Sequence, residues 1–248
     1  MIKPLQIVVC ANKLPQHSYL VRGFNALINS ANKYGYKLTT LGWGAPWGGL
    51  GTKPKLLKKA IESKVITAKH ILFVDAFDVV FQRPPEEALE QFLAWSNSPK
   101  IIWNAEKNCF PDAKLAKDHP PTDSPFKYLN SGMSIGESEA YLECLTEMKV
   151  QDWMDDHRMR NGRMYERNDQ DDWMRRFVHG QCGNQCKMVL DSGCELFQTM
   201  TGTVLDDFEL KDGRVRNKEF NTFPCAIHHN GGAKTSGTME PILNCLKL

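Results

Sequence analysis

The chain has 248 residues, of which 42% are hydrophobic and 24% charged, and its formal net charge is +2. This composition is ordinary for a globular protein and excludes a disordered or fibrous chain, while the charge is too small to indicate a polyanionic partner by itself. The apolar runs are short, and the N-terminus lacks the apolar core of a secretory signal. We therefore expect no membrane span and a cytoplasmic location.

Helices and strands alternate along the first half of the chain. The apolar run at residues 5–10 predicts a strand, and apolar residues spaced three and four apart predict a helix over about residues 18–32. The elements predicted next are a strand at 37–41, a glycine-rich loop at 42–53 followed by a basic helix, a strand ending at Asp75, a helix at about 85–95 and a strand at 100–104.

The second half is less regular, but its elements fit the same fold class. The predicted elements are an apolar segment at 128–135, a helix near 137–148, a polar stretch up to 170, and strands at 187–190 and 222–229. The alternation predicts an α/β fold with a mainly parallel central sheet in three α/β/α layers. Since no repeat, low-complexity tract or linker interrupts it, we expect a single domain over residues 1–248.

Two carboxylates follow the buried strand that ends at Asp75. Asp75 and Asp78 lie where a parallel sheet gathers its ligands, at the carboxyl end of a strand. Buried carboxylates are costly unless a cation or hydrogen bonds neutralise them, and a divalent metal holding a diphosphate would do so. The alternative is that Asp78 only caps the turn before Pro84 and Pro85.

The loop at residues 42–53 has features of a phosphate-binding segment. Gly49 and Gly51 would let backbone N–H groups approach a phosphate, Lys53 adds a positive charge, and Trp43 and Trp47 offer rings for a nucleobase. The loop lacks the order of a Walker sequence. A tight surface turn, with the tryptophans packed onto the domain, is an equally good explanation.

A second glycine-containing loop follows the last predicted strand, in the sequence AIHHNGGAK at residues 226–234. His228 and Asn230 end the strand, and Gly231 and Lys234 suit a segment that closes over phosphate. The alternative is a structural histidine with hydrogen-bonded ring nitrogens.

Two further clusters have both a functional and a structural interpretation. Asp169 and its neighbours in the sequence NDQDDW either supply favourable charge at a helix N-terminus or bind sugar hydroxyls. Since we see no export signal, we expect all eight cysteines to be reduced thiols. His179, Cys182, Cys186 and Cys194 are close enough in sequence for a zinc site, but without a CxxC pair loop thiols without metal are the simpler interpretation. No Ser-His-Asp, G-x-S-x-G or HExxH signature supports a hydrolase of those classes.

Taken in order, several segments resemble the glycosyltransferase domain of the procollagen lysyl hydroxylase (PLOD) family, which has a GT-A-like fold. They are GLGTK with LLKK, ILFVDAFDVV, WNAEKNCFP, FKYLNSGMSIG, NDQ, ELFQ and RVRNKEFNTFPCAIHHNGGAK. The resemblance implies a UDP-sugar donor and a manganese ion, with magnesium as the alternative, held by Asp75, Asp78 and His228.

The resemblance also assigns expected roles to other residues. Phe77 would pack beside the uracil, Lys53 and Lys234 would contact the diphosphate, and Asn230 would support the phosphate loop. The sugar or acceptor contacts would be Asn130, Asp169 and Gln170, with Asp169 as the base or as an acceptor-orienting group.

This chain departs from the family pattern near the expected acceptor site. Asn168 replaces a family carboxylate, and residues 157–167, HRMRNGRMYER, form a basic stretch in a connection that looks longer than in the family. Such a stretch is either a phosphate-contacting arm or a solvated loop balanced by nearby aspartates.

The arm leads us to favour 5-hydroxymethylcytosine in viral DNA as the acceptor, with the base flipped out. The alternatives are hydroxylysine in collagen-like protein, a metal-dependent phosphodiesterase or nuclease, and an inactive nucleotide-sugar-binding module.

Overall fold

The computed structural model describes residues 4–160, 163–180, 187–234 and 237–248, apart from the side chains of Arg160 and Lys234. Its strands are β1 (Leu5–Cys10), β2 (Leu38–Leu41), β3 (His70–Asp75), β4 (Val79–Phe81), β5 (Ile101–Glu106), β6 (Tyr128–Glu137), β7 (His157–Arg160), β8 (Arg163–Glu166), β9 (Met188–Asp191), β10 (Phe197–Thr199), β11 (Phe208–Lys211), β12 (Arg214–Asn217) and β13 (Ala226–His228). Its α-helices are α1 (Ser18–Tyr34), α2 (Thr52–Glu62), α3 (Pro85–Leu93), α4 (Ser138–Glu147), α5 (Asp169–Val178) and α6 (Met239–Leu246).

The central sheet has six strands in the order β2-β1-β3-β6-β5-β9. Every neighbouring pair is parallel except those of β6, which runs antiparallel to β3 and to β5. The prediction of a mainly parallel sheet is confirmed. Because β1 and β3 are parallel and in register, with Cys10 opposite Asp75, their carboxyl ends form one edge of the sheet.

Helices cover both faces of this sheet, as the three-layer prediction requires. Alternate residues of β1 point to opposite sides: Val8 and Cys10 pack with α2, α4 and α5, and Ile7 and Val9 pack with α1 and α3. Strands buried on both faces are apolar throughout, which explains why their sequences show no polar alternation.

A second sheet of three strands, in the order β10-β13-β4, was not predicted. After Asp75 the chain leaves the central sheet and re-enters regular structure as β4, which pairs antiparallel with β13. His228 lies opposite Val79 in that pairing, and this register brings the C-terminal histidine beside the residue that follows Asp78. The strand expected at residues 222–229 is therefore real but shorter, and it belongs to this second sheet.

The polar stretch before α5 contains a further element that was expected to be irregular. Strands β7 and β8 pair antiparallel, with Arg158 opposite Tyr165 and Met159 opposite Met164. We call residues 157–167, the basic stretch noted in the sequence, the arm.

Candidate active site

Three predicted metal ligands converge where the two sheets meet. The ring nitrogen Nε2 of His228 lies 3.2 Å from a carboxylate oxygen of Asp78 and 3.8 Å from one of Asp75. One ligand atom from each residue can be chosen so that all three lie within 4.8 Å of one another. Asp78 and His228 are buried, whereas Asp75 is partly open to the surface.

The orientation of the His228 ring makes this cluster suitable for a cation. Its Nδ1 lies 3.1 Å from Oδ1 of Asn130, and the Gly132 backbone N–H donates to the same oxygen at 2.9 Å, which fixes the orientation of the amide. Nδ1 therefore donates to Asn130, and the opposite ring nitrogen, Nε2, faces the two carboxylates. Nε2 is buried and has no hydrogen-bond partner among the described residues. A divalent cation bound to the imidazole and both carboxylates would give this ring nitrogen a partner.

A cavity of about 260 Å³ adjoins these ligands at the carboxyl ends of β1 and β3. Phe77 forms part of its wall, and the Phe77 ring packs against that of Phe24 with centroids 5.9 Å apart. Of the two tryptophans predicted to stack on a nucleobase, Trp47 lines the cavity, whereas Trp43 is outside its lining and half exposed. The remaining lining residues are Cys10, Ala11, Asn12, Leu50, Lys53, Asp75, Ala76 and Asp78.

Lys53 connects the cavity to the predicted acceptor side. Its ammonium lies 3.0 Å from a carboxylate oxygen of Asp75 and 3.0 Å from one of Asp169, so it bridges a metal ligand and the candidate base. Burial opposes its charge, but Asp169 and Asp75 outweigh burial and raise the pKa of the lysine. Burial likewise raises the pKa of Asp169, and Lys53 offsets part of that rise.

Glu106 is a buried residue of the candidate site that the sequence reasoning missed. Its buried carboxylate accepts hydrogen bonds from the side-chain amides of Asn130 at 3.1 Å, Gln170 at 2.7 Å and Asn230 at 3.1 Å. Burial raises its pKa, and these amides counteract part of the rise. A carboxylate ending the apolar strand IIWNAE is the same signal that identified Asp75, and it lies within the quoted WNAEKNCFP segment.

The residues predicted to contact sugar or acceptor are mostly engaged with the protein. The side-chain NH₂ group of Gln170 donates to the Glu106 carboxylate and to the Phe110 carbonyl, at 2.7 Å each. The side-chain oxygen of Gln170 accepts from the Ser131 N–H at 3.2 Å. Asn130 contacts His228 and Glu106. Both side chains therefore position other groups of the site.

The sequence of this chain is also similar to those of known proteins. A family model described as the PLOD GT domain matches residues 18–246. The chain belongs to this family of glycosyltransferase domains. Among curated relatives, procollagen-lysine,2-oxoglutarate 5-dioxygenase 1 of Mus musculus is 30% identical over 224 residues, and the corresponding Drosophila melanogaster enzyme is 32% identical over 226. The multifunctional procollagen lysine hydroxylase and glycosyltransferase of Caenorhabditis elegans is 30% identical over 227 residues.

The PLOD-family domain corresponds to only part of these relatives. Each of the three matches covers 86% of this chain and 29% of the relative. The crystal structure of a glycosyltransferase involved in the glycosylation of the major capsid of PBCV-1 covers 98% of this chain and 100% of its own, with a TM-score of 0.52 and 11% identity. That likeness shows the fold alone. Within the described ranges, no helix has both the length and the apolar character needed to cross a membrane.

The glycine-rich loop of this PLOD-family domain lies against the start of the arm. A Cβ atom on Gly49 would stand 2.4 Å from the Asp155 carbonyl oxygen, and the Gly51 N–H donates to that oxygen at 2.9 Å. This N–H is therefore engaged within the protein. The packing explanation therefore accounts for both glycines, and their contact with a phosphate stays a prediction.

The C-terminal loop is tied to the Glu106 network through the side chain of Asn230. Oδ1 of Asn230 accepts the N–H groups of Met200 at 3.1 Å and Thr201 at 3.0 Å, which supports its predicted role in holding this loop. Gly231 begins a short 3-10 helix, Gly231–Lys234, with a positive φ of 52°. The predicted diphosphate contact of Lys234 lies outside the described side chains.

Two of the four arm-region arginines face inward. Arg158 pairs with Asp171 and Asp172 of α5. Arg167 pairs with Asp172 at 2.9 Å and lies over the Trp153 ring. Asp171 and Asp172 therefore bind arginines rather than a sugar. Of the arm-region arginines whose side chains the structure describes, Arg163 is the exposed one.

The zinc prediction falls mainly outside the described residues, since it includes Cys182 and Cys186. His179 is exposed at the end of α5, and Cys194 has a buried free thiol. Cys144 is disulfide-bonded, so the expectation of reduced thiols throughout is wrong at this residue.

Proposed function

We propose that this PLOD-family domain transfers a sugar from a UDP-sugar to a hydroxyl group of a macromolecular acceptor, with a divalent cation, Mn²⁺ rather than Mg²⁺, held by Asp75, Asp78 and His228. The observation that carries the proposal is the buried Nε2 of His228 facing two carboxylates beside a cavity of about 260 Å³. When bound, such a cation would offset negative charge on the diphosphate of the departing UDP.

The chain's own residues would prepare the donor and the acceptor. Phe77 and Trp47 supply apolar walls for the nucleoside in the cavity. Lys53 keeps Asp75 and Asp169 ordered, and its pairing with both carboxylates differs from the simple diphosphate contact expected from sequence. Asp169, whose pKa burial raises, would accept the proton of the acceptor hydroxyl.

The acceptor that the observations favour is hydroxylysine in a collagen-like protein. The curated relatives are procollagen lysine hydroxylases, and one of them is also named as a glycosyltransferase. The DNA acceptor depended on the arm contacting phosphates, but Arg158 and Arg167 are already paired with aspartates. Among the arm-region arginines whose side chains are described, the exposed Arg163 alone still supports hydroxymethylated DNA, so we retain this DNA as the second acceptor to be tested.

The test is a product screen by mass spectrometry. A panel of UDP-sugars with Mn²⁺ would be offered in parallel to a hydroxylysyl peptide and to duplex DNA containing 5-hydroxymethylcytosine. We expect sugar to appear on the peptide, and we expect Asp75→Asn or Asp78→Asn to reduce turnover by at least ~10²-fold, the scale for loss of a preorganised charge stabiliser. Asp212→Asn is the matched control, because this exposed aspartate lies in the turn between β11 and β12.

Other outcomes would contradict the proposal in different ways. Cleavage of phosphodiester bonds would indicate a nuclease, and binding of UDP with Mn²⁺ but no turnover of any donor would indicate an inactive binding module. Unchanged turnover of Asp75→Asn would refute the metal site. The cytoplasmic location stays a prediction.

A further inference from the structure

Strand β6 has an irregularity beside the metal ligands. Its pairing with β5 changes register between Trp103, which lies opposite Ser134, and Asn104, which lies opposite Asn130. Residues 131–133 therefore form a bulge, and bulges often re-aim side chains next to active sites. Here the bulge places Asn130 against Nδ1 of His228 and places the backbone of Gly132 under the same ring.

Gly132 leaves room for the His228 ring. A Cβ atom on Gly132 would stand 2.0 Å from Cε1 of His228, 2.7 Å from Nδ1 and 2.9 Å from Nε2. Real Cβ contacts are not this short, so the ring would have to move. Gly132 is absent from the glycines with positive φ, so its backbone conformation is open to any residue. The space for the ring is therefore what requires glycine.

Gly23 has the corresponding role for the two aspartates. It lies within α1, where glycine is less favourable than alanine by about 1 kcal/mol. A Cβ atom there would stand 1.8 Å from the carbonyl oxygen of Phe77 and 3.5 Å from the backbone nitrogen of Asp78. The helix thus supports the backbone between Asp75 and Asp78 at a distance that only glycine allows.

We propose that Gly132 and Gly23 are positioning residues that set the metal-binding geometry of the site. Gly132 fixes the distance of Nε2 from the carboxylates, and Gly23 fixes the loop that carries those carboxylates. The inference rests on the proposed metal site, and it assigns cation affinity to two residues that contact no ligand themselves.

Cation affinity can be measured without any substrate. Binding of Mn²⁺ to the whole chain, followed by the loss of the free-ion electron paramagnetic resonance signal, should weaken at least tenfold in Gly132→Ala and in Gly23→Ala. Gly193→Ala is the matched control and should bind within twofold of wild type, since the nearest atom to its added Cβ is a Glu195 side-chain oxygen at 3.6 Å. Mn²⁺ affinity within twofold of wild type in both site variants would overturn the proposal.

A double-mutant cycle on the metal-free protein separates ring displacement from general damage. With EDTA present, Gly132→Ala should lower Tm by several degrees when His228 is intact, as overpacking does in a chain of this size. In a His228→Ala background the same substitution should change Tm by less than half as much. An equal fall in both backgrounds would refute the role of Gly132. Failure of wild type to bind Mn²⁺ would instead refute the proposed metal site.

Discussion

Glu106 joins three amide side chains that hold the site together. One carboxylate oxygen accepts from Asn130 and Gln170, and the other accepts from Asn230. Glu106→Gln would replace one acceptor by an NH₂ group, so at least one amide would face another donor. An unsatisfied buried polar group costs ~1–3 kcal/mol, and we therefore expect kcat/KM to fall about tenfold or more. Steady-state kinetics with the best donor and acceptor would measure this fall.

The control for this substitution is Glu139→Gln, which makes the same chemical change at an exposed residue of α4. It should leave kcat/KM within twofold of wild type. Equal activity of Glu106→Gln and wild type would mean that the amide network does not support catalysis.

Asp169 is the residue whose protonation should control the reaction rate. A base must be deprotonated to act, and burial raises the pKa of Asp169 above its ordinary value of 3.8. Activity should therefore be lost as the pH falls through this raised pKa, and kcat/KM should show an acidic limb at a higher pH than an ordinary aspartate would give. Asp169→Asn should remove the limb together with most of the activity. The same limb in Asp169→Asn would assign the titration to another group.

At the scale of elements, the strands and helices that could be predicted are those with a local pattern of apolar residues. Strand β1 was predicted with its observed bounds, and the predicted ends of helices α1, α3 and α4 lie within two residues of the observed ones. The second sheet was missed because β4 and β10 have only three residues each, too few for a periodic pattern.

The same reasoning explains what was found and missed in the site. Asp75, Asp78 and His228 could be named because charged or imidazole groups at strand ends are unusual, and the family resemblance linked them. Gly132 depends on a register shift between β5 and β6, and no residue pattern reports such a shift. Long-range pairing therefore decides the residues that position the ligands.

The arm yields a prediction about stability. Arg158 pairs with Asp172 and with the fully buried Asp171, which also pairs with Arg175. Removing Arg158 therefore takes away its ion pairs to α5 and one of the two cations beside a buried charge, which is costly. Arg158→Leu should therefore lower Tm by several degrees and speed proteolytic cleavage within residues 157–167. Limited proteolysis with mass mapping would locate the cut. Arg163→Leu, at an exposed residue of β8, should do neither, and equal effects of both variants would show that the ion pair does not hold the arm.

At the scale of the whole molecule, charge bears on the acceptor. The formal net charge is only +2, and two arm-region arginines are already paired with Asp171 and Asp172, so these arginines offer little to a polyanion. A protein that makes 6–10 phosphate contacts loses about 10³–10⁵ in affinity between 50 and 200 mM salt. We expect instead that KM for a hydroxylysyl peptide changes less than about threefold over this range.

A salt titration of both acceptors would decide between them. If hydroxymethylated DNA were the substrate, its KM would rise steeply with salt, and Arg163→Gln would reduce the slope of log KM against log salt by about one, because one phosphate contact would be lost. Lys114, an exposed residue, lines a second cavity together with Arg158 and Tyr165 of the arm, and Lys114→Gln would test this side of the cavity in the same way. Efficient transfer to DNA with that salt dependence would overturn the preference for hydroxylysine, because it would require an arm that contacts phosphate despite the ion pairs of Arg158 and Arg167.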